Sequence, residues 1–174
     1  MLQPSWKDSL YQKLSRFKRD DRTRLPRTCL VGIGNDLRGD DSAGLIVARS
    51  LLDDERFTNM PHLLALEGGP APENHTAKIR AFRPELVLFV DAAQMDESPG
   101  AIQWIPLDAI DGMSASSHSL PLSMLARYLN LEIGCEIAVL GIQPLRNEVN
   151  AELSPPIRAA VDEILAGISE MLIL

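Results

Sequence analysis

The sequence predicts a three-layer α/β domain around a mostly parallel sheet, and three observations carry that prediction. From Thr28 onward, strand-like and helix-like segments alternate, the pattern of parallel strands joined by crossover helices. Two of the strand-like segments, Leu86-Val87-Leu88-Phe89-Val90 and Ile137-Ala138-Val139-Leu140, are continuous apolar runs, as strands covered on both faces require. The link 92–100 between the third and fourth strand candidates is shorter than the roughly dozen residues of a parallel crossover, so that pair is expected to be antiparallel.

Taken in order, residues 6–18 form an amphipathic helix, with Trp6, Leu10, Leu14 and Phe17 near the helical period and a capping box in Ser5 and Asp8. Residues 19–27, ending in Leu25-Pro26-Arg27, read as a linker, so 1–27 is a leader and 28–174 the α/β domain. The leader helix is expected to dock on its own domain. The first strand, 28–33, runs into Gly32-Ile33-Gly34 and a polar stretch ending in Asp40-Asp41, after which 42–54 reads as helix. A second strand, 62–67, leads through a Gly-Gly-Pro turn to a helix over 72–82, and the third strand spans 86–91. The fourth strand is placed at 101–106, a helix at 120–129 and the fifth strand at 136–142. The last helix, 154–172, has Ser154 as N-cap, Pro155 in its first turn and one apolar face in Ile157, Val161, Ile164, Leu165, Ile168 and Leu172.

A chain of 174 residues suits one domain with a real core, and 45% hydrophobic with 24% charged residues is ordinary for a globular protein. A net charge of −7 argues against nucleic acid or an anionic membrane as the main partner. The basic residues Arg16, Lys18, Arg22, Arg24 and Arg27 are interrupted by Asp20 and Asp21, the pattern of a solvated linker. No apolar run approaches the ~20 residues of a membrane span. Residues 1–27 lack the apolar centre of a signal peptide, which places the expected location in the cytoplasm. Cys29 and Cys135 each lie in apolar, strand-like segments, where reduced buried thiols are expected.

In an open α/β sheet, ligands gather beyond the carboxyl ends of the strands. Asp41 follows strand one, Asp91 ends strand three, and His118 lies in the polar loop Ser114-Ala115-Ser116-Ser117-His118-Ser119. Two carboxylates and one imidazole arriving from separate loops would leave coordination positions open, as in a catalytic metal site. Each has a plainer reading as well. Asp40 and Asp41 can cap the following helix, Asp91 can cap a turn, and a lone loop histidine can be surface decoration. Glu67 ends strand two at the same edge, and Glu73 suits a helix N-terminus. Gly32-x-Gly34 lacks the third glycine of a dinucleotide fingerprint at its proper spacing, and the acids that follow speak against a phosphate site.

Together these residues resemble the hydrogenase maturation endopeptidases. The resemblance runs from Thr28 to Leu172 and is carried by Gly32-Ile33-Gly34-Asn35, Gly39-Asp40-Asp41-Ser42-Ala43-Gly44 and Glu67-Gly68-Gly69-Pro70-Ala71-Pro72-Glu73-Asn74. It continues in Arg83-Pro84, Val90-Asp91-Ala92, Ser117-His118-Ser119-Leu120-Pro121-Leu122 and Leu140-Gly141-Ile142-Gln143-Pro144. The Ala71-Pro72-Glu73-Asn74 and Gly141-Ile142-Gln143-Pro144 segments look most like the branch serving formate-hydrogenlyase-type and energy-converting hydrogenases.

The resemblance implies a phosphorylase/hydrolase-like fold with sheet order 2-1-3-5-4 and strand four antiparallel. It implies an endopeptidase that trims the C-terminus of a nickel–iron hydrogenase large-subunit precursor after nickel insertion. The family's metal ligands fall on Asp41, Asp91 and His118, and Glu67 is a candidate general base, so the expected catalytic set is these four. The implied metal is nickel, supplied by the precursor, although other divalent metals can occupy such a site in vitro. The expected partner is the precursor alone, with no nucleic acid, no membrane span and no second copy of the chain. Two positions depart from the family: Glu67 is commonly aspartate there, and Ser42 often glycine. The competing reading is a non-catalytic, nickel-dependent chaperone that binds the large subunit without cutting it.

Overall fold

The computed structural model describes residues 4–17, 24–110 and 120–172. Strand β1 (Thr28–Ile33) is buried along its whole length. It pairs in parallel with β2 (Leu63–Gly69) on one side and β3 (Leu86–Ala92) on the other. Beyond β3 comes parallel β5 (Glu136–Ile142), and beyond that the short β4 (Ile102–Trp104), which is antiparallel to β5. The five-stranded order is therefore β2-β1-β3-β5-β4, as expected. The short link forces the reversal at β4: Gly100 N donates to Gln143 O and Gln143 N to Ala101 O, both at 2.9 Å, which seats the returning chain on β5.

The continuous apolar runs are explained by two cores. One cluster joins Leu30, Leu88, Val90 and Leu140 to the helices α1 (Trp6–Phe17), α2 (Ala43–Asp53) and α6 (Pro155–Leu172). Between α2 and β2 lies only the single turn of α3 (Glu55–Thr58). The other cluster joins Val31, Phe89 and Val139 to α4 (Thr76–Phe82) and α5 (Leu122–Ile133). Alternate residues of each strand enter opposite layers, so no position along the central strands can be polar without a partner.

The leader helix packs into the first of these cores. Ser5 and Asp8 form the expected reciprocal cap, Asp8 N donating to Ser5 Oγ at 3.1 Å and Ser5 N to Asp8 Oδ2 at 3.3 Å. Trp6, Leu10 and Leu14 are buried, Trp6 Nε1 donates to Glu163 Oε1 at 2.9 Å, and Lys13 pairs with Glu136. Lys18, the last residue of the helix expected from sequence, lies outside the described residues.

Several boundaries differ from expectation. The helix expected over 72–82 opens with a 3-10 turn, Pro72–His75, and the one expected over 42–54 follows a 3-10 turn, Gly39–Ser42. β2 runs two residues further than expected because a bulge at the Gly32/Ile33 step keeps Gly69 paired with β1. β4 is cut to three residues at the sheet edge, and α5 starts and ends later than 120–129 because Pro121 precedes it and the left-handed Gly134 stops it. Both cysteines are free and buried, and burial pushes the Cys135 thiol up to about 11 and that of Cys29 higher still. Both therefore stay protonated at neutral pH. Among the described residues, no helix is long and apolar enough to cross a membrane.

Candidate active site

The chain leaving β1 turns at Gly34, whose φ of 142° lies outside the range open to other residues; a Cβ there would sit 1.8 Å from Asp41 O. The turn is then closed by main-chain bonds: Asn35 N donates to Asp41 O at 3.2 Å, Arg38 N to Asn35 O at 3.1 Å and Asp41 N to Arg38 O at 2.9 Å. Asn35 Oδ1 accepts from Leu37 N at 2.9 Å, an Asx turn inside the loop. Gly44 then brings α2 onto the β1–β3 seam so closely that a Cβ would lie 2.1 Å from Val90 O and 2.4 Å from Ile33 O. These glycines serve close packing, and Asp41 is buried beside the carboxyl ends of β1 and β3.

Asp91 is the penultimate residue of β3, buried, and in register with Gly141 of β5. By the strand's alternation it belongs to the face of Val87 and Phe89, the α4/α5 side. The 3-10 turn carrying Asp41 packs against β3, so the structure brings Asp41 and Asp91 to one edge of the sheet. His118 lies outside the described residues. The described residues that flank its segment, Ile110 and Leu120, both pack in the α4/α5 cluster, on Asp91's side of the sheet. Among the described residues no three His, Cys, Asp or Glu side chains form a metal-holding group.

Asp40 has a different role from its neighbour, and it caps neither helical segment that begins here. Its side chain points away, into a nest of donors. Oδ2 accepts from Leu145 N, Arg146 N and Ser154 Oγ, each at 2.9 Å, and Oδ1 accepts from Ser154 N at 2.7 Å. The Ser154 hydroxyl expected to cap the last helix is thus directed to Asp40, and the helix start uses Ser154's carbonyl, which accepts from Ile157 N and Arg158 N. The capping reading of Asp40 gives way to a buried clamp, and Asp41 beside it is buried at the carboxyl end of the sheet. Ser42 fits without strain at φ −79°, and its hydroxyl donates to Gly39 O at 2.7 Å.

Glu67 reaches the same end of the sheet but not the same place. It follows Leu63 and Ala65 on the α2 face, opposite to Asp91, with β1 between their strands. Its Oε2 accepts from Arg49 Nε at 2.6 Å, while Arg49 Nη1 and Nη2 bind Asp36 at 2.8 and 2.5 Å. Hydrogen bonds that it donates to Asp36 first and Glu67 second raise the Arg49 pKa, so the guanidinium is a fixed charge in a half-exposed acid–base–acid triad. Sequence reasoning missed Arg49, although a lone arginine in the apolar helix Ala43–Asp53 was a visible signal. It also gave no role to Gln143, a buried polar residue at the exit of β5. A cavity of about 510 Å³ involving Phe17, Glu85 and Gly134 opens at the amino ends of β3 and β5, away from the acids.

The chain is similar to known proteins over most of its length. A family model described as hydrogenase maturation protease matches residues 47–171. The hydrogenase 3 maturation protease of Escherichia coli K12 is 36% identical over 138 residues, covering 78% of this chain and 84% of that protein. A putative hydrogenase maturation protease of Methanocaldococcus jannaschii is 34% identical over 142 residues, 79% of each chain. Among solved structures, the NiFe hydrogenase maturation protease HycI of Thermococcus kodakarensis superposes with a TM-score of 0.75 at 36% identity, over 84% of this chain and 92% of that one.

Proposed function

The chain belongs to the hydrogenase maturation protease family, and from that premise we propose that it removes a C-terminal extension from a nickel–iron hydrogenase large-subunit precursor once nickel is in place. The observation that carries this reading is the pair Asp41 and Asp91, two buried acids that a 3-10 turn and the end of β3 deliver to the carboxyl edge of neighbouring parallel strands. Nickel belongs to the substrate. Carboxylate oxygens from Asp41 and Asp91 and the imidazole of His118 suit it chemically and leave positions for the precursor's own ligands. A bound cation polarises a carbonyl or a water, which supplies the charge stabilisation that peptide hydrolysis needs. An empty precursor brings no cation to this acidic edge, so cleavage doubles as a check on metal loading. Two buried thiols held protonated suit a chain that works in the reducing cytoplasm.

The deciding experiment mixes the protein with purified nickel-loaded precursor and follows intact mass. Loss of a C-terminal peptide is the expected result. A stable complex of unchanged mass would identify a binder or chaperone and contradict the proposal.

Glu67, held by Arg49 across the sheet from Asp91, we assign to substrate selectivity at the rim of the site. Glu67→Gln is expected to raise KM for precursor several-fold while kcat falls less than tenfold in steady-state cleavage. A general base contributes roughly 10²–10⁴ in rate, so a kcat loss of that size at unchanged KM would give Glu67 the base's role instead.

A further inference from the structure

The four residues after β5 are tied both to the turn that carries Asp41 and to the loop that follows Asp91. Gln143 is only 6% exposed. Its Oε1 accepts from Met95 N at 2.7 Å and Glu97 N at 3.3 Å, and its Nε2 donates to Gln94 Oε1 at 2.9 Å and Pro144 O at 3.3 Å. The main chain doubles the link, with Ala93 N donating to Ile142 O at 2.9 Å alongside the Gly100 and Ala101 bonds. The whole loop that leaves Asp91, residues 93–101, is thereby hung on the exit of β5. Two residues further, Leu145 N and Arg146 N donate to Asp40, and Asp40 N returns a bond to Arg146 O at 3.1 Å. Asp40 is the residue before Asp41.

We infer that segment 143–146 is a common brace that sets Asp41 relative to Asp91, with Gln143 and Asp40 as positioning residues for the cleavage reaction. A buried amide or carboxylate is a poor way to fill a core, since an apolar side chain of the same volume avoids the desolvation penalty. What a fully bonded polar network adds is a single arrangement of the segments it joins. Here the joined segments are the two that carry the site acids, and a hydrolytic site needs its groups held to about 0.5 Å. Neither Gln143 nor Asp40 has to meet the substrate to do this.

The inference rests on the cleavage reading above, so its test uses one readout that depends on cleavage and one that does not. Gln143→Met keeps the volume and removes the acceptor. In precursor cleavage its kcat is expected to fall at least tenfold with KM within threefold of wild type. That loss is expected to persist when the assay is cooled to 15 °C with the variant folded by circular dichroism, where a variant that is merely less stable recovers. Independently, the carbon-13 carboxyl shifts of Asp41 and Asp91 in labelled protein are expected to move. Wild-type values in either readout overturn the inference. If the wild-type protein cuts no precursor, the proposed function fails and the carboxyl shifts alone decide the brace. If Gln143→Met does not fold, Ser154→Ala, which removes one of the Asp40 donors, goes through the same two measurements.

Discussion

Asparagine in place of Asp41 or Asp91 is expected to lower precursor cleavage by on the order of 10³-fold and to leave the fold intact. The substitution preserves shape and removes one negative charge from the acidic edge. If that charge helps to hold a substrate cation, its loss removes several kcal/mol of transition-state stabilisation. At about 1.4 kcal/mol per factor of ten, this corresponds to roughly three orders of magnitude. Stability responds differently. Both acids are buried at one edge of the sheet and neither is without a partner there, and asparagine keeps the shape and one carbonyl oxygen of each. Each variant is therefore expected to remain folded at the assay temperature and to melt in one cooperative transition. Steady-state cleavage kinetics and calorimetry on the same samples check the two halves. Full activity in either variant removes that acid from the site.

Asparagine in place of Asp40 is expected to give the opposite pattern, with stability suffering first. Three main-chain amides and one hydroxyl, from Leu145, Arg146 and Ser154, donate to this one buried carboxylate. The amide of asparagine keeps one oxygen and turns an NH2 group toward the other donors, so at least one of them loses its acceptor and faces another donor. An unsatisfied buried donor costs about 1–3 kcal/mol, and bonds to a charged acceptor are stronger than neutral ones. A loss of about 3 kcal/mol is expected, equivalent to roughly 6–12 °C in melting temperature for a domain of this size. Urea unfolding followed by circular dichroism measures it, with Ser154→Ala giving a smaller loss because it removes only the hydroxyl bond. A loss below about 1 kcal/mol in Asp40→Asn would mean that the clamp contributes little. The two adjacent acids Asp40 and Asp41 thus separate cleanly, one reporting in stability and the other in rate.

The sheet was legible because its signals are local. The runs 86–90 and 137–140 declare central strands, and the link 92–100 is too short for anything but a reversal at β4, which the structure bears out. Asp41 and Asp91 could be placed at one edge because strand ends are one-dimensional features. What stayed hidden depends on distant partners. The donors to Asp40 lie 105 to 114 positions along the chain, so no spacing rule could distinguish a clamp from a cap. Gln143 follows an apolar strand, and only the loop after Asp91 reveals what its amide holds. Glu67 was placed at the correct end of its strand, yet its face follows from strand alternation together with the Arg49 contact from α2. The 3-10 turns escaped because the tighter winding of Gly39–Ser42 and Pro72–His75 leaves no hydrophobic period over four residues.

The proposed activity is cleavage of a precursor according to its nickel content. The most direct measurement compares nickel-loaded and nickel-free forms of one purified large-subunit precursor, incubated with equal protein and followed by intact mass over time. Loss of the C-terminal extension from the loaded form only is the predicted result. Equal cleavage of both forms, or of neither, would contradict it.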